Sequence, residues 1–181
     1  MEWGDQGYVL SARRHGESAL IVSILTDTNG RHPGLVRGGA SAKRRGLYQP
    51  GNYLKVNWRA RLPDHLGTYN CEIIRAYSVD FFDSPKKLLA LNSAATLLDH
   101  ALPEREPSPE NFGLFGKLLV DLMSENWAVS YVRWELELLS NLGFGLDLSK
   151  CAATGGKNNL SHVSPKSGRA VSRCVAKPYQ K

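Results

Sequence analysis

The stretch that decides the fold is Y-L-K-V-N-W-R-A-R, residues 53–61. Apolar and polar side chains alternate along it, and a period of two is typical of a β-strand with one buried face. The alternation places Leu54, Val56 and Trp58 in a core, while the polar residues between them face solvent or a ligand. Residues 53–61 therefore predict a half-buried strand with a basic outer face.

Other segments on both sides of this stretch also have the apolar composition of strands. The first begins with Tyr8–Leu10, the second is Leu20–Leu25, the third runs through Gly34–Val36 into the following loop, and the last is Leu66–Ser78. The turn after the second of them contains the pair Asn-Gly, which readily supplies the positive φ angles of a hairpin. Five short strands separated by glycine-rich turns predict an N-terminal, five-stranded OB-fold barrel.

A basic loop, residues 36–50, joins the third and fourth predicted strands and reads V-R-G-G-A-S-A-K-R-R-G-L-Y-Q-P. It contains Arg37, Lys43, Arg44 and Arg45 and no acidic residue. Such a loop suits a phosphate backbone, but most charge runs are solvated surface, and the loop alone leaves both interpretations open. A nucleotide-binding P-loop is excluded, because Lys43 has no glycine before it and no serine or threonine after it.

A DNA-binding hypothesis draws further residues from the neighbouring strand. Arg59 and Arg61 can neutralise additional phosphates, and Tyr53 has the solvent-facing parity that base stacking requires. Arg13 and Arg14, on an early turn, either extend this surface or are plain exposed residues. The candidate DNA-binding residues are Arg37, Lys43, Arg44, Arg45, Tyr53, Arg59 and Arg61.

Helical periodicity replaces the strand pattern after residue 80. A first helix is predicted to begin at Ser84-Pro85, with serine as the N-cap and proline at the first helical position. A second is predicted over Phe112–Met123 and a third over Val129–Leu142. Their apolar stripes are interpreted as a bundle core rather than as a cofactor site. On the third helix the face expected in the core consists of Val132, Leu136 and Leu139.

Charge divides the chain into three regions. The whole chain has 23 basic and 17 acidic residues and a net charge of +6. Residues 1–79 carry a net charge of +5, residues 80–150 carry −5, and residues 151–181 carry +6. We therefore predict a nucleic-acid-binding domain over 1–79, a helical domain over 80–150 and a basic segment over 151–181. By composition alone that last segment is typical of a flexible tail.

The cysteines and the N-terminus indicate the cellular compartment. Three cysteines are an odd number and lie far apart, which argues against a disulfide scaffold and fits a reducing environment. Glu2 and Asp5 stand where a signal peptide would be positively charged, and no apolar run reaches the length of a membrane span. These features predict a cytoplasmic protein.

The sequence predicts no catalytic residues. The five histidines show no paired ligand spacing and no arrangement with serine or cysteine that is typical of a nucleophile. The acidic pairs Asp80/Asp83 and Glu135/Glu137 are not matched by the second acidic cluster that a two-metal nuclease would need. We therefore expect a binding protein rather than an enzyme.

Several motifs occur in an order shared with a known family. G-Y-V-L begins at residue 7, R-R-H-G-E-S at residue 13 and V-R-G-G at residue 36, while W-E-L-E-L-L-S-N-L-G-F-G-L-D-L-S-K-C-A-A-T-G spans 134–155. Together they resemble the RecO family of bacterial recombination mediators. The resemblance covers nearly the whole chain.

The resemblance implies an α+β protein with an N-terminal five-stranded OB-fold barrel, an α-helical domain and a degenerate zinc-finger-like insertion. It implies binding of single- and double-stranded DNA, annealing of complementary strands and no enzymatic turnover. The implied partners are RecR, single-strand binding protein and, indirectly, RecA, which such proteins load onto coated gaps in the RecF pathway. The implied location is the cytoplasm, at the nucleoid.

Two features depart from the family pattern. Zinc-bearing members use two C-x-x-C pairs, whereas this sequence keeps Cys151 and Cys174 and has Thr154 and Val171 at the paired positions. With only His162 nearby as a further ligand, we expect no zinc and no other cofactor. The chain also ends where a further helical segment should follow, so we expect a C-terminally truncated fragment.

An alternative function of another class is a non-enzymatic adaptor. In that hypothesis the helical domain and the basic tail bind protein partners, for example the acidic C-terminus of single-strand binding protein. An enzyme that uses Cys71 or Cys151 as nucleophile has little support, because no basic residue is placed to activate either thiol.

Overall fold

The computed structural model describes residues 1–176. Residues 177–181, the end of the predicted basic segment, lie outside the described residues. Five strands come first: β1 (Glu2–His15), β2 (Ala19–Thr26), β3 (Gly30–Val36), β4 (Tyr53–Arg59) and β5 (Thr68–Arg75). Helices α1 (Pro85–Ala101), α2 (Pro109–Asp121) and α3 (Trp127–Asn141) follow, and then β6 (Leu160–Val163), β7 (Ala170–Ser172) and α4 (Arg173–Ala176). Short 3₁₀ helices span Arg45–Tyr48 and Tyr77–Phe81.

The first five strands close into a barrel in the order β1-β2-β3-β5-β4. β1 is shared by two neighbours: its first half pairs with β4, starting at Glu2 and Arg59, and its second half pairs with β2, ending at His15 and Ala19. β3 and β5 meet in parallel at a single residue pair. The predicted five-stranded OB-fold is confirmed, although β1 begins six residues before the apolar run at Tyr8, because pairing with β4 outweighs the weak strand propensity of the residues before it.

The core of the barrel follows the alternation of residues 53–61. Leu54, Val56 and Trp58 are all buried, whereas Lys55 and Arg59 are exposed. The Trp58 indole N–H donates to the carbonyl of Leu66, so its one polar atom is satisfied inside the core. The predicted parity of this strand is confirmed.

Chain contacts divide the molecule into two compact units, residues 1–131 and 132–181. The first contains the barrel with α1 and α2, and the second contains the end of α3 and the β6–β7 ribbon. The three-domain division at residues 79 and 150 stays a prediction. No helix within residues 1–176 is both long enough and apolar enough to cross a membrane.

Helices α1 and α2 begin at prolines. α1 begins at Pro85 as predicted, although the Ser84 side chain makes no capping hydrogen bond. α2 begins at Pro109, earlier than the predicted Phe112. The backbone N–H groups of the first helical turn have no partner within the helix, so proline, which lacks an N–H, costs no hydrogen bond there, and its fixed φ is already helical. Pro109 therefore begins α2 instead of belonging to the connector before it.

The predicted core face of α3 is wrong. Val132 is 54% exposed and Leu136 and Leu139 are each 39% exposed, whereas Trp134 and Leu138 are only 2% and 4% exposed. Apolar residues lie on more than one side of this helix, so periodicity alone does not decide which stripe packs. The large indole of Trp134 and Leu138 one turn later form the stripe that is buried.

The segment after residue 150, whose composition alone is typical of a flexible tail, contains two strands and a short helix within residues 160–176. β6 and β7 form an antiparallel ribbon in which Val163 pairs with Ala170. The backbone N–H of Ala152 donates to the carbonyl of Ala170, and the ribbon is also bridged to Asp147. These hydrogen bonds join residues far apart in sequence, and amino-acid composition cannot predict such pairings.

Helix α1 is fixed to the barrel through one carboxylate. Asp99 accepts hydrogen bonds from Ser11 Oγ at 2.8 Å and Ser23 Oγ at 2.5 Å, and lies 3.4 Å from Arg31 Nη1. Arg31 Nε also donates to the carbonyl of Leu102, just beyond the helix. The side chains of Asp99 and Arg31 are mostly buried, so these charge-assisted bonds are shielded from water.

We expect Asp99→Ala to lower the free energy of unfolding by about 1–3 kcal/mol, because two hydroxyls and a guanidinium lose their partner away from water. Urea denaturation measures the change. Asp83→Ala, at an exposed position before α1, is the matched control and should be nearly neutral. Equal effects of the two substitutions would contradict the docking role of Asp99.

A second carboxylate holds the β2–β3 turn. Asp5 accepts hydrogen bonds from the backbone N–H and hydroxyl of Thr28 and from the side-chain amide of Asn29. Burial alone would raise the pKa of Asp5, but these bonds and one from the Gln6 backbone N–H outweigh it and lower the pKa below its usual range.

Because the folded-state pKa of Asp5 is depressed, its stabilisation is present above the unfolded-state pKa of about 3.9 and is lost as pH falls through the folded value. We expect Asp5→Asn to be less stable than the unsubstituted protein near neutral pH and to lose less additional stability on acidification below pH of about 4. Thermal unfolding over a pH series tests this. The same pH dependence in both proteins would contradict it, and Asp83→Asn serves as control.

Candidate nucleic-acid interface

Strand register gathers basic residues at the C-terminal end of β3. On one side, Arg14 of β1 pairs with Leu20 of β2, which pairs with Val36 of β3. On the other side, Arg59 of β4 pairs with Thr68 of β5, which pairs with Leu35 of β3. Since neighbouring strands lie roughly 4.8 Å apart, the backbones of Arg14 and Arg59 flank the end of β3 at roughly 10 Å on either side.

The basic loop starts at this same end of β3 and is folded by its own hydrogen bonds. The backbone N–H of Ala40 donates to the carbonyl of Ser18 in the β1–β2 turn at 3.0 Å, which ties the two loops together. The N–H of Arg45 donates to the carbonyl of Ser41 at 2.9 Å and leads into the 3₁₀ helix. The loop therefore has a defined shape beside the turn that carries Arg13 and Arg14.

Five of the predicted cations are exposed to solvent: Arg37, Lys43, Arg45, Arg59 and Arg61. Arg44 differs from them because it is half-buried. Its Nη1 donates to the carbonyl of Arg37 at 3.2 Å and its Nη2 to the hydroxyl of Tyr48 at 3.4 Å. Arg44 thus shapes the loop as well as adding charge, a role that the charge pattern of the sequence did not reveal.

Tyr53 does not lie beside Arg59. It starts β4, six residues before Arg59, and is therefore displaced by roughly 20 Å along the strand. Its ring stacks on Tyr8 with centroids 4.6 Å apart, and its hydroxyl donates to Gln6 Oε1 at 2.6 Å. Tyr53 lies outside the barrel core, as the alternation along β4 predicts. The alternation does not show that Tyr8 of β1 and Phe112 of α2 pack against its ring there.

The assembled surface includes two residues whose role the sequence left open. Arg13 and Arg14 are exposed at the end of β1 and lie beside the basic loop. We call the whole surface the basic rim, and it consists of Arg13, Arg14, Arg37, Lys43, Arg44, Arg45, Arg59 and Arg61. Within residues 1–176, none of these side chains forms an ion pair with a carboxylate. The rim is therefore a positive surface that can accept the phosphates of a polyanion.

The second compact unit contains the two cysteines of the zinc-finger-like pattern. Ser172 lies between them, with its backbone N–H donating to Cys151 Sγ at 3.3 Å and its hydroxyl 3.2 Å from Cys174 Sγ. Hydrogen bonds from Ser172, and then from Thr154, hold the pKa of the Cys151 thiol at about 6. The Cys151 side chain is buried, so these hydrogen bonds are shielded from solvent.

These residues do not fit a structural zinc site. Such a site needs four nitrogen or sulfur ligands, and here Thr154, which is hydrogen-bonded to Cys151, and Val171 occupy the positions of the two paired cysteines. Within residues 1–176, His, Cys, Asp and Glu side chains nowhere gather in a group of three or more that could hold a metal ion. We propose that the chain holds no structural zinc.

Two measurements test the zinc proposal. Protein purified in the presence of zinc and then dialysed is expected to retain far less than one equivalent by elemental analysis. A chelator should leave its unfolding temperature unchanged, because no folding free energy is tied to a metal. Stoichiometric zinc that is lost together with stability on chelation would contradict the proposal.

Comparison with known proteins identifies the family. The family model described as Recombination protein O N terminal matches residues 1–77, and the one described as Recombination protein O C terminal matches residues 83–180. A DNA repair protein RecO from Rhodospirillum centenum is 49% identical over 99% of this chain and 73% of its own length. Proteins of the same name from Ruegeria sp. and Cereibacter sphaeroides are 49% and 46% identical over 97% of this chain. The chain belongs to the RecO family, and its role lies in DNA repair and recombination.

Proposed function

We propose that the basic rim binds the phosphate backbone of single- and double-stranded DNA without sequence preference. The observation that carries the proposal is the convergence of eight cations, none in an ion pair with a carboxylate of residues 1–176, at one end of the OB-fold barrel. Cations on loops and strand ends contact phosphates rather than base edges, so they supply affinity and not sequence choice.

We further propose that this binding promotes annealing of complementary strands. Neutralised phosphates repel a second strand less strongly, so two strands held on or near the rim can pair more readily. Membership of the RecO family supports the wider role: acting with RecR in the RecF pathway to load RecA onto gaps coated by single-strand binding protein. In this proposal the protein works at the nucleoid by binding alone and has no catalytic turnover.

An adaptor function is the alternative. Several large apolar side chains of the helical region are exposed, including Phe82, Leu89 and Val120. Exposed apolar side chains at such density suit protein contacts, although scattered ones are normal on any surface. In the adaptor proposal the helices and the basic tail bind partner proteins and the rim contributes little to DNA affinity.

We expect the double variant Lys43→Glu/Arg45→Glu to weaken binding of a labelled single-stranded oligonucleotide at least about tenfold at low salt. Because roughly two phosphate contacts are lost, the slope of log affinity against log salt should become shallower by about 1.4. Fluorescence anisotropy at several salt concentrations measures both. Arg44 is left unchanged in this variant, because its hydrogen bonds to Arg37 and Tyr48 hold the loop.

The matched control is Lys86→Glu/Lys117→Glu, which makes the same charge change at exposed positions of α1 and α2. It should retain nearly all of the affinity if binding is local to the rim. Equal losses in the two variants would indicate a response to net charge and would contradict the placement of the site. Undetectable DNA binding by the unsubstituted chain at low salt would favour the adaptor function.

A further inference from the structure

An aromatic cavity opens on the barrel between the β2–β3 turn and the connector that follows β4. Its volume is about 240 Å³, and the residues that line it include Trp3, Asn29, His32, Trp58 and Arg105. All of them belong to the first compact unit. Ligand sites for drug-sized molecules are usually about 300–1,000 Å³, so a cavity of this size suits a single ring system.

Three rings form a rigid aromatic platform in this cavity. The indoles of Trp3 and Trp58 are stacked, with centroids 5.5 Å apart and planes 19° apart. His32 packs edge-on against both, at 5.1 Å from Trp3 and 4.8 Å from Trp58. Trp58 and His32 are almost completely buried, whereas Trp3 is half-buried, so Trp3 is the part of the platform within reach of a ligand.

His32 contributes a hydrogen-bond acceptor. Its Nδ1 lies 3.0 Å from the carbonyl of Pro33, and since a carbonyl only accepts, Nδ1 carries the proton and Nε2 the lone pair. Burial lowers the pKa of His32, so the ring is neutral at pH 7. Within residues 1–176, Nε2 has no hydrogen-bond partner. A ligand that carries an N–H group would satisfy it.

Arg105 fixes one wall of the cavity. Its backbone has a positive φ of 65°, which is unusual for a residue with a side chain, and its N–H donates to the carbonyl of Arg31 at 2.8 Å. Its Nη2 donates to the carbonyls of Asp64 and His65, at 3.1 and 3.2 Å, in the connector after β4. The wall is therefore in place before any ligand arrives, and strained backbone of this kind is retained where the surroundings fix it.

The cavity and the basic rim share structural elements. Trp58 immediately precedes Arg59 on β4, and the connector that forms the cavity wall begins just after Arg59 and carries Arg61. Arg59 and Arg61 are therefore the rim cations nearest to the cavity along the chain, and they can hold phosphates of a strand that reaches it. An aromatic ring attached to a phosphate backbone has this combination, and bases of an unpaired strand stack on aromatic side chains without sequence preference.

We propose that the aromatic cavity holds one unstacked nucleobase of a single strand whose phosphates lie on the basic rim. This inference rests on the proposed DNA binding and adds a base contact to it. It predicts that single strands gain affinity from their bases as well as from their charge. A base stacked on Trp3 is unavailable for pairing, so annealing would require its release from the cavity.

The test compares two labelled strands of equal length and charge, an oligodeoxythymidylate and the same backbone with abasic sites throughout. We expect the intact strand to bind at least about fivefold more tightly and to quench tryptophan fluorescence, while the abasic strand does neither. Trp3→Leu should lower the affinity for the intact strand to the abasic level. It should leave the abasic affinity and its salt dependence unchanged.

Further variants keep the result interpretable. His32→Phe preserves a ring but removes the acceptor, so it should weaken binding of the thymidylate strand and not of the abasic one. Trp127→Phe removes a tryptophan that does not line the cavity and should change neither affinity. Circular dichroism establishes that each variant is folded.

Each outcome supports or overturns the inference. Equal affinity of the unsubstituted protein for both strands, with a steep salt dependence, would overturn the base contact and leave the proposal of DNA binding by the rim intact. It would indicate that the cavity holds a side chain of a partner protein instead of a base. An intact-strand preference that survives Trp3→Leu and His32→Phe would also overturn it. Failure of both strands to bind would overturn the DNA-binding proposal and this inference together.

Discussion

Closure of the barrel depends on how closely two glycines let aromatic rings approach the backbone. β3 and β5 meet only at Leu35 and Thr68, and the N–H of Leu35 donates to the carbonyl of Gly67 at 3.0 Å. A Cβ on Gly67 would lie 2.5 Å from the Trp58 indole, and one on Gly34 would lie 2.3 Å from the Tyr69 ring. A larger residue at Gly34 would therefore push β3 and β5 apart, and one at Gly67 would displace the Trp58 indole of β4.

The same closure places the chemistry of the surface. Because β3 ends between β2 and β5, the loop that leaves it emerges beside the end of β1 on one side and the end of β4 on the other. Charges from three distant parts of the sequence thereby become neighbours. The tryptophan that packs against Gly67 is also a wall of the aromatic cavity, so one set of contacts closes the barrel and shapes the cavity.

Much of the fold could be predicted because its signals are local. Alternation over residues 53–61, the Asn-Gly turn before β3 and the prolines near the helix starts act over a few residues, and the structure has the elements they indicate. The buried face of α3 could not be predicted, because its apolar residues lie on several sides and only packing selects Trp134 and Leu138. The β6–β7 ribbon escaped prediction because backbone hydrogen bonds from distant residues hold it.

The sequence by itself determined that the chain has a small five-stranded barrel, that a loop with four cations leaves its third strand, and that its motifs follow the order of the RecO family. Only the tertiary structure decided which residues share a surface: it added Arg13 and Arg14 to the rim, separated Tyr53 from Arg59, and joined Trp3, His32 and Arg105 around one cavity. The reason is physical. Propensity and periodicity act between residues a few positions apart, whereas the partners of a binding surface are set by strand register and packing, which relate residues far apart in the chain.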